Sequence, residues 1–220
     1  MKCYFNLFII FLFLSTPVFS EEFSAEYTIK TKGVVIGSLF WYLHITPKKY
    51  DTSIKLKSQG ILSGLYKFNG EYKSVGTIHK KRFVPKSYVQ DWNTKKKKKF
   101  VKIIFLNNKI KELYNLPIES EKPRIDYTKI NNFVDPVASI LDILENNIPS
   151  YTIDGRRAYT MFPTMKKSEL TIKIKDYVNI WADHKRNDLE YIEIIKSKNY
   201  KLPQKINIKF KGMIFSLTKN

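Results

Sequence analysis

The feature that most constrains the fold is a repeated alternation of apolar and polar residues in short runs separated by turn residues. A period of two is typical of strands with one buried face. The runs before residue 117 are EFSAEYTIKT, VVIGSLFWYLHIT, YDTSIKLKS, EYKSVGTIH, FVPKSYVQDW, KKFVKIIFL and IKELYNL. The later runs are YTIDGRRAYTMFP, ELTIKIKDYVNIWAD, DLEYIEIIKSK, LPQKINIKF and MIFSLTK. We therefore predict roughly ten to twelve strands.

Short polar or glycine-containing segments separate these runs. Lys32-Gly33, Pro47-Lys48-Lys49 and Asn107-Asn108 are predicted as turns, the last of them a hairpin turn. Asp154-Gly155 is a turn or a bulge inside its run. The segment GILSGLYKFNG, residues 60–70, combines glycines with large apolar residues, and we interpret it as either a helical turn or a bulged corner.

One segment changes to a helical period. Asp135-Pro136 places an N-cap residue before proline at the first helical position, which strongly favours a helix start. Apolar residues then recur at helical spacing, and the segment ends at Asn146-Asn147. We predict one main helix at about 135–146, with Ser139, Asp142 and Glu145 opposite its apolar side. A functional alternative for Asp135 is a carboxylate that faces a cavity. One helix among so many strands predicts a mostly β fold, either all-β or a strand-dominated α+β fold.

The N-terminal residues have the pattern of a secretory signal peptide. Lys2 is followed by an apolar run at residues 5–14 that is too short to span a bilayer. Val18 and Ser20 fit a small-residue cleavage site, so the mature chain is predicted to begin at Glu21. We expect a signal peptide at 1–20 and a single strand-rich domain at 21–220.

The single cysteine, Cys3, is predicted to leave with the signal peptide. It precedes the apolar run, whereas a lipoprotein cysteine follows it. The mature chain would then contain no thiol and no disulfide. We expect a soluble periplasmic protein that is neither transmembrane nor a lipoprotein.

The chain is strongly basic, with a formal net charge of +19. Nucleic acid, an anionic membrane surface and compositional bias each account for such a charge. The chain is rich in Lys, Ile, Asn and Tyr and poor in Arg, which is the signature of an AT-rich coding sequence. Export also removes most nucleic acid partners. We rank bias first, a membrane surface second and nucleic acid last.

Several landmarks along the chain occur together in one order. They are YTIKTKGVVIGSLFWYL, SQGILSGLYKFNGEYKSVGTI, VPKSY, VDPVASILDIL, TIDGRRAYTM and LPQKINIKFKGMIFSL. With this order and spacing, the chain from about Tyr27 to Leu217 resembles the exported bacterial family called domain of unknown function 3108. The Asp-Pro helix start and the DGRR-type strand are the most specific of these landmarks.

The resemblance implies a periplasmic protein built on a large curved antiparallel sheet. By analogy with lipoprotein carriers, we expect an open half-barrel or clam-like shape with the helix against its concave side. Family members often carry a cysteine near the end of the helix or in the following strands, and this chain has none there. The family has no settled activity, so the resemblance implies no reaction.

The residues needed for catalysis or metal binding do not form a recognisable pattern. His44 lies among aromatic residues, His79 precedes a basic string, and no Gly-x-Ser-x-Gly elbow is present. Asp183-His184 with Asp188 matches no standard ligand spacing. We therefore expect no enzyme activity, no metal and no cofactor.

Asp154, Arg156 and Arg157 form the best remaining polar group. Arginine is scarce here while lysine is abundant, so a retained pair indicates a need for guanidinium geometry. The group could bind a carboxylate or phosphate. The favoured alternative is an internal Asp-Arg ion pair across neighbouring strands.

The chain contains many large apolar side chains for one sheet and one helix. Part of this apolar surface must close on itself, line a cavity or meet a partner. The cavity candidates are Trp41, Leu62, Leu65, Tyr66, Phe68, Tyr159 and Trp181. An ordinary packed core explains the same residues equally well.

The leading hypothesis is non-enzymatic binding of an apolar or amphipathic, lipid-like ligand on the concave side of the sheet. The main alternative is a structural or assembly factor of the cell envelope that acts through protein contacts. A weaker third hypothesis is an enzyme that acts on envelope polymers through Asp135 and Asp154.

The run DWNTKKKKKF contains five successive lysines, Lys95, Lys96, Lys97, Lys98 and Lys99. It joins two alternating runs, so we interpret it as a hairpin tip whose like charges stay solvated. The functional alternative is contact with an anionic membrane surface.

Overall fold

The computed structural model describes residues 19–64, 67–182, 188–197 and 201–220. Strands joined by short turns make up most of these residues. The first group of strands comprises β1 (Glu21–Thr31), β2 (Val34–Ile45), β3 (Lys49–Ser58), β4 (Phe68–His79), β5 (Arg82–Thr94), β6 (Lys98–Leu106) and β7 (Lys109–Leu116). The helix α1 (Pro136–Asn146) follows. The second group comprises β8 (Ser150–Ile153), β9 (Arg157–Lys166), β10 (Glu169–Asn179), β11 (Leu189–Ile195), β12 (Lys205–Phe210) and β13 (Met213–Lys219).

The strands form two meanders joined through the ends of the chain. In the described residues, one 13-stranded sheet runs in the order β7-β6-β5-β4-β3-β2-β1-β13-β12-β11-β10-β9-β8. β1 pairs with β2 on one side and with β13 on the other, both antiparallel. The predicted mostly β class with a large antiparallel sheet and one main helix is confirmed. Within the described residues the structure has thirteen strands, one more than the upper end of the expected range, because the run YTIDGRRAYTMFP divides into β8 and β9 at Asp154-Gly155.

The sheet is open, since β7 and β8 form its two edges. The segment before α1 nevertheless reaches both sides of the gap. Asn132 donates its backbone N–H to the carbonyl of Asn108, in the β6–β7 turn, at 2.9 Å. Val134 exchanges backbone hydrogen bonds with β8, at 2.8 Å to Tyr151 and 2.9 Å to Ile153. Because one short segment touches both edges, the sheet must curl strongly, as an open half-barrel does.

The antiparallel order places the turns at two opposite ends of the sheet. The β2–β3, β4–β5, β6–β7 and β9–β10 turns lie at one end, where β11 also finishes. We call it the helix end because α1 finishes there at Asn146. The β1–β2, β5–β6, β8–β9 and β12–β13 turns lie at the other end, the distal end, where β3 and β10 also finish. Residues 61–64 form a 3-10 turn at the distal end, which agrees with one of the two interpretations of residues 60–70.

Two apolar clusters fill the concave side. The larger combines residues of both meanders with Leu141 and Ile143 of α1. The smaller contains Ile103, Phe133 and Val137 among others. Buried aromatic side chains also satisfy their polar atoms: Trp41 Nε1 donates to Thr52 Oγ1 at 3.0 Å, and Tyr27 Oη donates to the Pro203 carbonyl at 2.8 Å. Each such large side chain stabilises the fold by roughly 1.5–3 kcal/mol.

The distal part of the gap closes around Gly155. Its φ is +88°, and a Cβ there would lie 2.3 Å from Val101 Cγ1. Its carbonyl accepts the side-chain amide of Asn115, on the edge strand β7, at 3.0 Å. Glycine is required here both by the left-handed backbone and by the close approach of the buried Val101.

We expect Gly155→Ala to lower the free energy of unfolding by about 2–4 kcal/mol, because a left-handed backbone and an overpacked neighbour both cost energy. Gly33→Ala is the matched control, since Gly33 has φ +80° but nothing within 4 Å of its added Cβ. The control should cost only about 1–2 kcal/mol in urea unfolding. Equal losses in both variants would show that the approach of Val101 is unimportant.

Candidate functional site

Asp135 is buried and caps the helix, as the sequence predicted. Its Oδ1 accepts the backbone N–H groups of Val137 at 2.9 Å and Ala138 at 3.0 Å. Its Oδ2 accepts the Ser74 hydroxyl at 2.7 Å, and Ser74 lies 3.1 Å from the Tyr50 hydroxyl. The cap therefore also ties α1 to β3 and β4. Burial raises the pKa of Asp135 to about 6, although the bonds from Ala138, Ser74 and Val137 act in the opposite direction.

Asp142, further along α1, forms a second attachment of the helix to the sheet. Its carboxylate accepts Arg82 Nε at 2.8 Å, the Phe83 backbone N–H at 3.2 Å and Asn146 Nδ2 at 3.0 Å. Burial raises the pKa of Asp142, and the Phe83 and Arg82 contacts lower it. The side of α1 that carries Ser139 and Asp142 is thus buried: Ser139 also bonds Thr152 Oγ1 at 2.8 Å.

A cleft of about 550 Å³ opens at the helix end, beside this second attachment. Its floor includes Phe83, Phe105 and Phe133, which come from the two apolar clusters on the concave side. Lys80 and Arg82 of the β4–β5 segment stand at its rim. Asp142 positions both parts of this site, since it holds the Phe83 backbone and the Arg82 side chain. We call this site the phenylalanine cleft.

Sequence reasoning did not select the residues of the phenylalanine cleft. Phe83 follows the β4–β5 turn, Phe105 precedes the β6–β7 turn, and Phe133 precedes the helix cap. The available signal was their place next to turns that a meander brings to one end of the sheet. Their apolar character alone does not distinguish them from core residues.

The predicted cavity residues separate into several environments. Trp41 and Tyr159 are buried in the larger apolar cluster. Phe68 stacks on Trp92 with ring centroids 5.6 Å apart. Leu65 and Tyr66 lie outside the described residues, and the side chain of Leu62 is not described. Their role in ligand binding stays a prediction.

The predicted polar group forms the turn between β8 and β9. Asp154 Oδ1 accepts the backbone N–H groups of Arg156 at 2.9 Å and Arg157 at 2.8 Å. Asp154 Oδ2 pairs with Arg157 Nη1 at 3.5 Å, so the ion pair lies within one turn rather than across neighbouring strands. Burial raises the pKa of Asp154, and Arg157 opposes this shift.

Arg156 links the two edges of the open sheet at the distal end. Its Nη2 donates to the carbonyl of Leu116, the last residue of β7, at 3.0 Å and to the carbonyl of Pro117 at 3.1 Å. Its Nη1 pairs with Glu119. Arg156, Arg157 and Trp181 line a second cleft of about 260 Å³, so three predicted site residues come together there. Trp181 Nε1 donates to the Gly155 carbonyl at 3.0 Å.

The histidines considered for catalysis and metal binding have different surroundings. His44 Nε2 lies 2.6 Å from Ser20 Oγ, and His79 lies at the rim of the phenylalanine cleft. Asp183 and His184 lie outside the described residues. Within the described ranges, no three side chains of His, Cys, Asp and Glu approach one another as a metal site requires.

The lysine run lies at the β5–β6 turn of the distal end. Thr94 organises this turn, since its Oγ1 accepts the Lys97 N–H at 2.9 Å and donates to the Lys97 carbonyl at 3.1 Å. Lys95, Lys96 and Lys97 are exposed at the tip, while Lys98 and Lys99 begin β6. Nothing in these contacts tests the predicted membrane surface.

The fold therefore defines an open, strand-dominated antiparallel sheet with one helix in its concavity. The chain belongs to the family described as "Protein of unknown function (DUF3108)", whose model matches residues 26–180. This confirms the resemblance found in the sequence. No curated protein matches the chain significantly.

A solved structure with a similar fold is the beta-barrel-like protein of domain of unknown function DUF1849 from Brucella abortus. It aligns with a TM-score of 0.51 and 9% sequence identity, over 92% of this chain and 96% of that chain. At this identity the similarity concerns the fold alone. Neither comparison names a reaction.

No helix in the described ranges combines the length and the apolar character needed to cross a bilayer.

The raised pKa of Asp135 predicts a specific dependence of stability on pH. Between the ordinary value of 3.8 and about 6, the folded state holds a proton that the unfolded state has lost. The contribution of Asp135 to the free energy of unfolding is therefore complete below pH 3.8, and it is lost as the pH rises towards 6. Relative to Asp135→Asn, the protein should gain about 2–3 kcal/mol of unfolding free energy on going from pH 7 to pH 4.

Urea unfolding of both proteins across this range would measure the difference. Asp135→Asn keeps an oxygen acceptor for the helix N-terminus, so it should fold. A constant difference between the two proteins from pH 4 to pH 7 would contradict the assignment.

Proposed function

We propose that this protein is a non-catalytic periplasmic binding protein whose ligand is amphipathic, with an apolar tail and an anionic head. The ligand occupies the phenylalanine cleft at the helix end of the sheet. The observation that carries the proposal is an apolar floor made by three phenylalanines beside basic residues at the rim.

The size and lining of the cleft support an apolar tail. A volume of about 550 Å³ lies within the range of roughly 300–1,000 Å³ that is usual for small-molecule sites. The floor joins the two apolar clusters, so a tail placed there would extend the core surface, with the polar side chains of Asn108, Asn132 and Ser150 around it. Each buried methylene contributes about 0.8 kcal/mol to binding.

The rim supports a negatively charged head group. Arg82 is half-exposed, and its Nε donates to Asp142. The other N–H groups of its planar guanidinium are therefore left for a ligand. Lys80 is exposed on the β4–β5 turn beside it. An anionic head at this position would meet the positive charges of Lys80 and Arg82.

The polar residues considered for catalysis support a binding role. Asp135 is engaged by the helix N-terminus and Ser74, and Asp154 is engaged by two backbone N–H groups and Arg157. A carboxylate pair that performs acid–base chemistry must reach the substrate. Asp135 instead stabilises the start of α1, and Asp154 stabilises the turn that contains it.

The N-terminal pattern supports export to the periplasm, and β1 begins at Glu21, directly after the predicted cleavage site. We expect the exported protein to have Glu21 as its first residue, since small residues precede it at the cleavage positions. Intact-mass measurement of protein from a periplasmic extract would check this. A chain that retains its first 20 residues in the cytoplasm would contradict it.

We expect the protein to bind dodecyl phosphate more tightly than dodecyl glucoside, which has the same tail and a neutral head. Lys80→Asn should weaken dodecyl phosphate binding about two- to fivefold and leave dodecyl glucoside binding unchanged. Asparagine suits the left-handed conformation of Lys80, where φ is 49°. Isothermal titration calorimetry below the micellar concentration measures these affinities.

A matched control and a blocking variant complete this experiment. Lys167→Asn removes the same charge from another left-handed position, with φ 56°, and should not affect binding. Asn131→Trp places an indole at the exposed rim of the cleft and should weaken both ligands about tenfold. Binding that none of these variants changes would place the ligand elsewhere and overturn the proposal.

A further inference from the structure

The distal end of the sheet presents turns in which lysines and exposed apolar residues alternate. We infer that the turns Lys32–Val34, Thr94–Lys98 and Lys211–Ile214 dock this end of the protein on an anionic lipid bilayer. We call these three turns the docking turns. They lie at the end of the sheet opposite the phenylalanine cleft, and the inference does not depend on the function proposed for the cleft.

The first observation is apolar exposure at neighbouring turn tips. Val34 is 48% exposed, Met213 is 42% exposed and Ile214 is 49% exposed. These residues lie close together, because Thr31 of β1 pairs with Val34 on one side and with Phe215 on the other. The β1–β2 and β12–β13 tips therefore form one apolar edge.

The second observation is that the apolar side chains lie on both sides of the β12–β13 hairpin. Along β13, Met213 has the same parity as the buried Leu217, so it points to the core side. Ile214 has the opposite parity and points to the outer side. Packing against the core needs apolar residues on one side only. Entry of the whole tip into an apolar medium requires exposed apolar side chains on both sides, as Met213 and Ile214 provide here.

The third observation is the positive charge that surrounds this edge. Lys30, Lys32 and Lys211 are exposed beside the apolar tips. The carboxylate of Glu190 pairs with Lys209 Nζ at 2.9 Å and accepts the Gly212 N–H at 3.3 Å, so it neutralises Lys209 and shapes the tip. The surrounding charge favours anionic head groups over neutral ones.

The lysine run adds charge at the same end. Lys95, Lys96 and Lys97 are exposed, and the Lys95 ammonium donates to the Gly64 carbonyl of the 3-10 turn. Lysine contacts with an anionic leaflet act at the range of the Debye length, about 8–10 Å, so these side chains need not insert. The apolar tips then supply attachment that salt does not screen.

Sedimentation with vesicles of phosphatidylcholine, with and without phosphatidylglycerol, tests this inference. The full protein should bind the anionic vesicles and bind the neutral ones at least tenfold more weakly. Lys32→Asn combined with Lys211→Asn should lower anionic binding at least tenfold, since each lysine near the surface contributes about fivefold. Both positions are left-handed, with φ of 47° and 52°, and Lys-Gly becomes the Asn-Gly that such turns favour.

The matched control is Lys81→Asn combined with Lys167→Asn. These lysines are also left-handed, with φ of 65° and 56°, and lie in turns at the helix end. The control removes the same net charge and should change vesicle binding less than about twofold. Equal losses in the two double variants would mean attraction by net charge alone and would overturn the inference.

The apolar contribution is tested separately with Met213→Ser combined with Ile214→Ser. Both side chains are exposed, so the variant should unfold at the same urea concentration as the unaltered protein. It should lose the part of vesicle binding that survives high salt, because salt screens the lysines and leaves apolar insertion intact. Unchanged binding in high salt would also overturn the inference. If the unaltered protein binds vesicles but shows no dodecyl phosphate binding in calorimetry, the function proposed for the phenylalanine cleft is wrong and the docking inference stands.

Discussion

Two buried carboxylates hold the helix against the sheet, and the arrangement of the concave side depends on them. Asp135 joins the start of α1 to Ser74 and, through it, to Tyr50. Asp142 joins the later part of α1 to Arg82 and the Phe83 backbone. A sheet whose edges do not pair leaves its concave surface to be covered by something else, and α1 supplies that cover. The cost of burying two carboxyl groups is offset by several hydrogen bonds to each.

The local parts of this arrangement were predictable from the sequence. Asp135-Pro136 specified the helix start, and alternation specified the strands, because both signals act over a few residues. The partners of the two carboxylates were not predictable. Asp135 and Ser74 are separated by 61 residues, and Asp142 and Arg82 by 60. Such pairs are set by strand register, which a single sequence does not reveal.

The candidate site illustrates the same limit. Trp41 and Tyr159 were selected for their size, yet their strand parity directs both into the core. The floor of the phenylalanine cleft comes from the neighbouring strands β5 and β6 and from the segment before α1, which contributes Phe133. The resemblance to the family implied the curved sheet but no ligand. Asp154, Arg156 and Arg157 were predicted to act together, and they do meet, with the ion pair inside their own turn.

The most direct test of the proposed cleft is a crystal structure of the protein with dodecyl phosphate. The dodecyl chain should lie against Phe83, Phe105 and Phe133, with its phosphate beside Lys80 and Arg82. The hydrogen bonds that Arg82 Nε and the Phe83 backbone N–H donate to Asp142 should remain, because they hold the site in the ligand-free protein. A saturating complex in which the ligand lies elsewhere and the phenylalanine cleft stays empty would contradict it.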